Sequence, residues 1–228
     1  MFADANDLAM EIAHRMGARI REIEAAGRVP RVLLTGGTIA VTAYRHLQAH
    51  DADWANVEFW FGDERFIPAG LPDRNDRQAH EAFLDRVGAT HVHSVADYDC
   101  SLSAAEAASG YAATLPSEPF DLALFGVGPD GHVASLFPGF SQLHETDLRA
   151  AAVFDSPKPP PIRVTLTYPA LNHSDAVWFL VAGAEKAEAV ARALAPEGSI
   201  EETPARGVTG RSETLWLVDE DAASKLRR

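Results

Sequence analysis

A chain of 228 residues, 46% of them hydrophobic, is long enough to bury a substantial core and too apolar to remain disordered. Its 20 Lys and Arg stand against 33 Asp and Glu, a formal charge of −13 that argues against nucleic acid or an anionic membrane surface as partner. A single cysteine, Cys100, rules out an internal disulfide and favours a reducing compartment, and no run approaches the roughly 18 continuous apolar residues of a membrane span.

The N-terminal stretch MFADANDLAMEIAHRM is acidic and has no basic region ahead of an apolar one, so it does not read as a signal peptide. Instead Leu8, Ile12, Met16, Ile20 and Ile23 recur at helical spacing and predict an amphipathic first helix. Residues 32–34 form a short apolar run ended by Thr35-Gly36-Gly37, and a helix-compatible stretch follows to about His50. A second run, 57–61, closes on Gly62-Asp63-Glu64-Arg65. A helix is expected over 76–86 with Ala79, Phe83 and Val87 on one face, a short strand over 91–95, and a helix over 104–115. Residues 120–127 are apolar at nearly every position, the pattern of a strand covered on both faces. Strands over 164–167, 176–181 and 215–218 complete the set, with helices over 185–194 and 219–226 after the last two.

Strands alternating with helices of this length predict right-handed crossovers and an α/β fold: an open, mostly parallel sheet with helices on both faces, a Rossmann-like three-layer sandwich. The proline-rich stretch 157–161 suits an interdomain linker, but the βα pattern resumes after it, so residues 1–228 are expected to form one domain with a stiff loop there.

Ligands of open α/β sheets bind beyond the carboxyl ends of the strands, so the residues just after each apolar run carry the chemistry. Gly36-Gly37-Thr38 opens a helix, where free backbone N–H groups and the helix dipole favour an anion; a plain tight turn accounts for it equally well. Gly62-Asp63-Glu64-Arg65 puts three charges on the working edge of the sheet, or in a solvated loop. Gly126-Val-Gly-Pro-Asp-Gly131 matches G-x-G-x-x-G, with Asp155 lying 24 residues beyond. Against a dinucleotide, Pro138-Gly139 leaves the following helix under two turns. His132 at a helix start, beside Asp130, instead suits a neutral general base oriented by a carboxylate, the alternative being a polar helix cap with Asp130 capping and His132 incidental. Arg163 suits phosphate, although taken alone it reads as an ordinary surface arginine; Lys186, one of only three lysines, opposes a helix dipole unless an anion sits there or Glu185 and Glu188 neutralise it. His91 and His93 alternate in a short segment without a carboxylate or cysteine to complete a metal site, so no metal is expected. Ser135 lacks a Gly-x-Ser-x-Gly elbow and reads as capping or packing, and Cys100 as structural.

The block Phe120-Asp-Leu-Ala-Leu-Phe-Gly-Val-Gly-Pro-Asp-Gly-His-Val-Ala-Ser-Leu-Phe-Pro-Gly139 closely resembles the signature of 6-phosphogluconolactonases. So do Trp60-Phe-Gly-Asp-Glu-Arg65 and Pro159-Pro-Pro-Ile-Arg-Val-Thr-Leu-Thr167 leading to Gly183-Ala-Glu-Lys186, in the family's order from about Val32 onward. The resemblance implies a cytoplasmic enzyme that hydrolyses 6-phospho-D-glucono-1,5-lactone in the pentose phosphate pathway without a cofactor; a monomer is expected, although nothing in the sequence gives the oligomeric state. By matched position it makes His132 the base that activates water, supported by Asp130. Asp63 and Arg65 bind substrate, Arg65 near the reacting end, and Gly36, Gly37, Thr38, Arg163 and Lys186 hold the phosphate. Where the family reads Gly-Gly-Ser-Thr-Pro, this chain has Gly36-Gly37-Thr38-Ile39-Ala40; where it reads Ser-Asn-Tyr, Arg74-Asn75-Asp76. Asn75 carries over as a substrate-binding residue, and Arg74 adds a candidate cation. Arg163 is awkward: it precedes its apparent strand, which puts it at the wrong end unless the strand starts earlier or the proline loop folds back.

Two alternatives stand beside this reading. A deaminase-like isomerase resembling glucosamine-6-phosphate deaminase shares Gly-Gly loops and Asp-Gly-His, but that family runs on toward Asn-Glu-Pro where this chain has Val133-Ala-Ser-Leu-Phe-Pro138. A non-catalytic sugar-phosphate-binding domain of a regulator would carry a DNA-binding helix-turn-helix, and only about 30 residues precede the first strand.

Overall fold

The computed structural model describes residues 1–99 and 101–226. Cys100 lies outside the described residues. After helix α1 (Ala5–Ala25), whose N-terminal amides are capped by Asp4, come strand β1 (Arg31–Leu34), helix α2 (Thr38–His46) and strand β2 (Glu58–Phe61). Next are β3 (Asp63–Arg65), α3 (Asn75–Ala79), a π-helical turn (His80–Leu84), α4 (Asp85–Val87), β4 (His91–Val92) and α5 (Ala104–Thr114), which opens on a Ser103/Glu106 capping box. The rest is β5 (Phe120–Phe125), β6 (Ala150–Val153), β7 (Arg163–Leu166), α6 (Tyr168–Leu171), β8 (Ser174–Val181), α7 (Ala187–Leu194) and β9 (Glu213–Val218).

Six of these strands pair in parallel in the order β4-β2-β1-β5-β8-β9, the mostly parallel sheet expected from the alternating pattern. Side chains alternate between its two faces, and each face has its own core. Val32, Leu34, Phe59, Phe61, Leu122, Leu124 and Trp178 pack under α1, α2 and the helical run from α3. Leu33, Trp60, Ala123, Phe125, Val177 and Phe179 face the other way, against α5, α7 and a second, smaller sheet. The π turn lets Ala82, Phe83 and Leu84 all be buried, and Ala79, Phe83 and the partly buried Val87 pack on the same core as expected.

The smaller sheet, β3-β7-β6, is antiparallel and departs from expectation. The segment 164–167 belongs here and not in the parallel sheet. The charged segment after Gly62 is a buried strand, not a solvated loop. The proline-rich stretch is a loop, as expected: it closes the β6–β7 hairpin, whose strands pair Val153 with Arg163 across it. Other differences are local. Helix α2 stops at His46 and not His50, β4 covers only His91–Val92, and residues 219–226 make turns anchored by the Asp219 carboxylate in place of a helix. No helix among the described residues is long and apolar enough to cross a membrane.

Candidate active site

The chain leaves β1 toward β2 on one side and returns to β5 on the other, so the crevice opens between the carboxyl ends of β1 and β5. Two buried tyrosines fix its walls. Tyr44 of α2 donates to the carbonyl of Thr35 (2.9 Å) and accepts its amide, and Tyr111 of α5 does the same for Phe61 (2.8 and 2.6 Å). Backbone groups that would otherwise be orphaned where the strands part are thereby satisfied. Between these walls lies a pocket of about 150 Å³, beside a cavity of about 820 Å³ that shares Gly36, Gly37, Gly126, Val127 and Lys186 with it.

Gly37 sits at φ 98°, a backbone geometry that suits glycine, and caps α2 with no side chain on the first amides of the helix. Gly36 and Gly37 line the pocket, whereas Thr38 lines only the larger cavity. Gly36 is also a place of close approach: a Cβ there would lie 2.0 Å from Asn75 Oδ1.

His132 reaches the pocket with its Nδ1 2.5 Å from Asp130 Oδ1. A carboxylate can only accept, so Nδ1 carries the proton, which in the neutral imidazole leaves the lone pair on Nε2. Phe137 packs on the imidazole at 4.6 Å between centroids. Burial works to raise the Asp130 carboxyl, but the hydrogen bond and charge of His132, with the charge of Lys158, hold it at about 2. The helix expected after His132 is absent. Ala134 takes a left-handed φ of 50°, Leu136 N–H closes on Val133 (2.9 Å), and Pro138 follows, so the segment is a tight turn. Asp130 therefore orients the imidazole without a helix dipole, and the glycine-rich run does not open the helix that a dinucleotide site requires.

Asp63 and Arg65 stand at the two ends of β3, with Glu64 between them turned away from the pocket. The Asp63 carboxylate accepts from Ser135 Oγ at 2.5 Å and Asn75 Nδ2 at 3.2 Å, with Arg163 Nη1 at 3.8 Å. Ser135 is thus neither a cap nor a nucleophile but a buried donor to the pocket wall. Glu64 accepts the amides of Arg65, Asn75 and Asp76 at 2.7–2.8 Å, so one carboxylate ties the strand bearing Arg65 to the loop bearing Asn75. Burial first, then the Asp76 carboxylate, pushes Glu64 up to about 7, against Arg74 and two of those amides. Arg74 is not a pocket cation: it is buried in a fork onto Asp76 (2.9 and 2.7 Å) and donates to Val95 O. Arg65 Nη1 donates to Asp73 O while its buried Nε has no partner, and Asn75 Oδ1 is likewise buried without one.

Arg163 lies in the middle of the small sheet, paired with Arg65 on one side and Val153 on the other. Because β7 runs antiparallel to β3, the start of β7 comes to the pocket, which removes the difficulty of its position in the sequence. Lys186 sits in a 3-10 turn (Ala184–Lys186) ahead of α7 and not within that helix. The pocket thus gathers Gly36, Gly37, Asp63, Arg65, Asn75, His132, Arg163 and Lys186, with Asp130 behind the histidine. It also holds Lys158, which sequence reasoning passed over, although a lysine between prolines in a chain with so few lysines was a readable signal. His93 stacks on Trp60 at 4.3 Å, and no cluster fit to hold a metal occurs among the described residues.

The sequence profile described as glucosamine-6-phosphate isomerases/6-phosphogluconolactonase matches residues 3–216. A 6-phosphogluconolactonase of Streptomyces coelicolor is 42% identical over 243 residues, covering 99% of this chain and 93% of that protein. The crystal structure of the Thermotoga maritima 6-phosphogluconolactonase superimposes with a TM-score of 0.81 at 29% identity, over 92% of this chain and 94% of that one. A monomeric glucosamine-6-phosphate deaminase reaches a TM-score of 0.83 at 20% identity, over 99% and 98% of the two chains, and so shares the fold alone.

Proposed function

The chain belongs to the glucosamine-6-phosphate isomerase/6-phosphogluconolactonase family, and from that premise we propose that it is a lactonase of the pentose phosphate pathway, hydrolysing 6-phospho-D-glucono-1,5-lactone to 6-phospho-D-gluconate. The observation that carries this for the site is the His132–Asp130 pair at a pocket bordered by Arg65, Lys158, Arg163 and Lys186. In this reading His132 Nε2 takes a proton from water as the oxygen adds to the C1 carbonyl. The tetrahedral intermediate then collapses, the C1–ring oxygen bond breaks, and the imidazolium returns the proton to the departing oxygen. A δ-lactone is an activated ester, so no covalent intermediate is needed. A positioned base supplies typically 10²–10⁴-fold, and donors on the developing oxyanion a comparable factor.

Asp130 holds the imidazole tautomer, and Arg65, bonded to a backbone carbonyl on one side, faces the reacting end. The amides of Gly36, Gly37 and Thr38 with Arg163 and Lys186 attract the phosphate. Remote binding of that group orients the ring for attack. Asp63 and Asn75 complete the wall against the sugar hydroxyls. We take the whole chain as one lactonase domain, monomeric, cytoplasmic, and with neither nucleic acid nor membrane as partner.

The test is the purified protein added to freshly generated 6-phosphogluconolactone, beside an assay of ammonia release from glucosamine 6-phosphate. Loss of lactone well above the spontaneous rate is expected. Folded protein that leaves the lactone at its spontaneous rate, or that releases ammonia instead, refutes the reading.

A further inference from the structure

The three lysines have different fates. Lys225 pairs with Glu188 at 2.7 Å, far from the pocket. Among the described residues, the ammonium groups of Lys158 and Lys186 make no hydrogen bond and no ion pair, and both line the 150 Å³ pocket. Two such charges in one small pocket repel, and Lys186 is held below the usual lysine range by burial first and by Lys158 second. Glu185 and Asp130 offset part of that repulsion, and a dianion between the two ammonium groups would offset more.

Arg163, by contrast, spends three of its five N–H groups on its own loop. Its Nε donates to Pro160 O at 3.2 Å, and its Nη2 donates to Lys158 O at 3.0 Å and Pro159 O at 3.1 Å. Its Nη1 faces Asp63. The residue is buried, only 4% exposed. The loop it grips is closed further by Ser156, whose amide donates to Pro161 O at 2.9 Å and whose Oγ donates to Lys158 O at 2.9 Å. Three carbonyls of successive loop residues thus converge on one guanidinium, and the side chain this presents to the pocket is Lys158.

We propose that Lys158 contacts the phosphate of the substrate together with Lys186, and that Arg163 is a positioning residue that holds the hairpin loop bearing Lys158 over the pocket. This rests on the lactonase reading and refines it, moving a substrate contact from Arg163 to Lys158. A dianionic phosphate answers two ammonium groups better than a transient single oxyanion does, so the effect belongs in KM and not in kcat.

The experiment compares Lys158→Ala, Lys158→Arg, Arg163→Ala and the double variant Lys158→Ala/Arg163→Ala. It measures kcat and KM for 6-phosphogluconolactone and for unphosphorylated glucono-1,5-lactone, with calorimetric binding of 6-phosphogluconate. Lys158→Ala should raise KM for the phosphorylated lactone about tenfold or more, leave kcat within about threefold, and spare the unphosphorylated lactone. Lys158→Arg should recover most of the loss, and Arg163→Ala should add little in the Lys158→Ala background. An unchanged KM in Lys158→Ala, a loss in kcat alone, or additive effects in the double variant overturns the proposal. Lys158 is half-buried and its backbone bonds survive the substitution, so its variants remain decisive if Arg163→Ala does not fold. If wild-type protein binds 6-phosphogluconate, and Lys158→Ala binds it at least tenfold more weakly, but no lactone is hydrolysed, the activity falls while the anion contact stands. If lactone is hydrolysed and Lys158→Ala is normal, the reverse holds.

Discussion

Gly128→Ala is a sharp test of the His132–Asp130 pair, because it adds one methyl group and removes no functional atom. Gly128 has a backbone geometry open to alanine, so the cost is steric and local. A Cβ there would lie 2.0 Å from His132 Nδ1, 2.1 Å from His132 Cε1 and 2.4 Å from Asp130 Oδ1. Non-bonded heavy atoms settle near 3.5 Å, so the imidazole must retreat by more than about 1 Å and part from its carboxylate. Displacement on that scale costs on the order of 10²-fold in rate, about 2.7 kcal/mol of transition-state stabilisation. Crowding of this kind destabilises a fold by about 1–3 kcal/mol, at roughly 2–4 °C of Tm for each kcal/mol in a chain of this length. Lactone loss at saturating substrate, with thermal unfolding in parallel, separates the two effects. The matched control is Gly110→Ala, on the exposed face of α5, where a Cβ meets nothing within 4 Å. It should leave kcat unchanged and raise stability by up to about 1 kcal/mol. Wild-type kcat in Gly128→Ala would refute the claim that the placement of this imidazole limits turnover.

His132→Ala should lower kcat by at least about 10²-fold with little change in stability, read from steady-state kinetics and thermal melting; near-normal turnover removes it as the base. Lys186→Ala should raise KM for the phosphorylated lactone about tenfold with kcat retained, and an unchanged KM places the phosphate elsewhere. Asp130, held at about 2 against an ordinary 3.8, stabilises the fold above pH 3.8 and loses that contribution as pH falls toward 2. The stability gap between wild type and Asp130→Asn, measured by denaturant unfolding, should therefore narrow from pH 4 to pH 2. A gap that stays constant through that window contradicts the pairing.

An acidic chain that binds a sugar phosphate is consistent once the charges are placed. The net charge of −13 sets the distant field and disfavours polyanions, whereas one phosphate responds to the few cations within a Debye length. Most arginines here are committed elsewhere: Arg74 to Asp76, Arg28 to Asp121, and Arg163 to the carbonyls of its own loop. Charge available to a ligand is the remainder left by internal pairing, and that remainder includes two of the three lysines.

Local pattern alone determined the parallel sheet and much of the pocket. Strand β5 is apolar at nearly every position because helices cover one face and the small sheet the other, and that burial is written residue by residue. The Gly36-Gly37 turn and the Asp130-Gly-His132 motif are contiguous, so their chemistry is legible without knowing what surrounds them. Tertiary structure decided what non-contiguous partners settle. A three-residue strand such as β3 has no periodicity to read, and its charges look solvated until Asn75, Asp76 and Ser135 supply the hydrogen bonds that make burial tolerable. The helix expected after His132 gives way to a turn because Ala134 adopts a left-handed backbone ahead of Pro138. The antiparallel pairing of β7 with β3 brings Arg163 to the pocket from the far end of its strand. It also folds the proline loop back over the site and delivers Lys158, whose meeting with Gly36, His132 and Lys186 no spacing in the chain foretells.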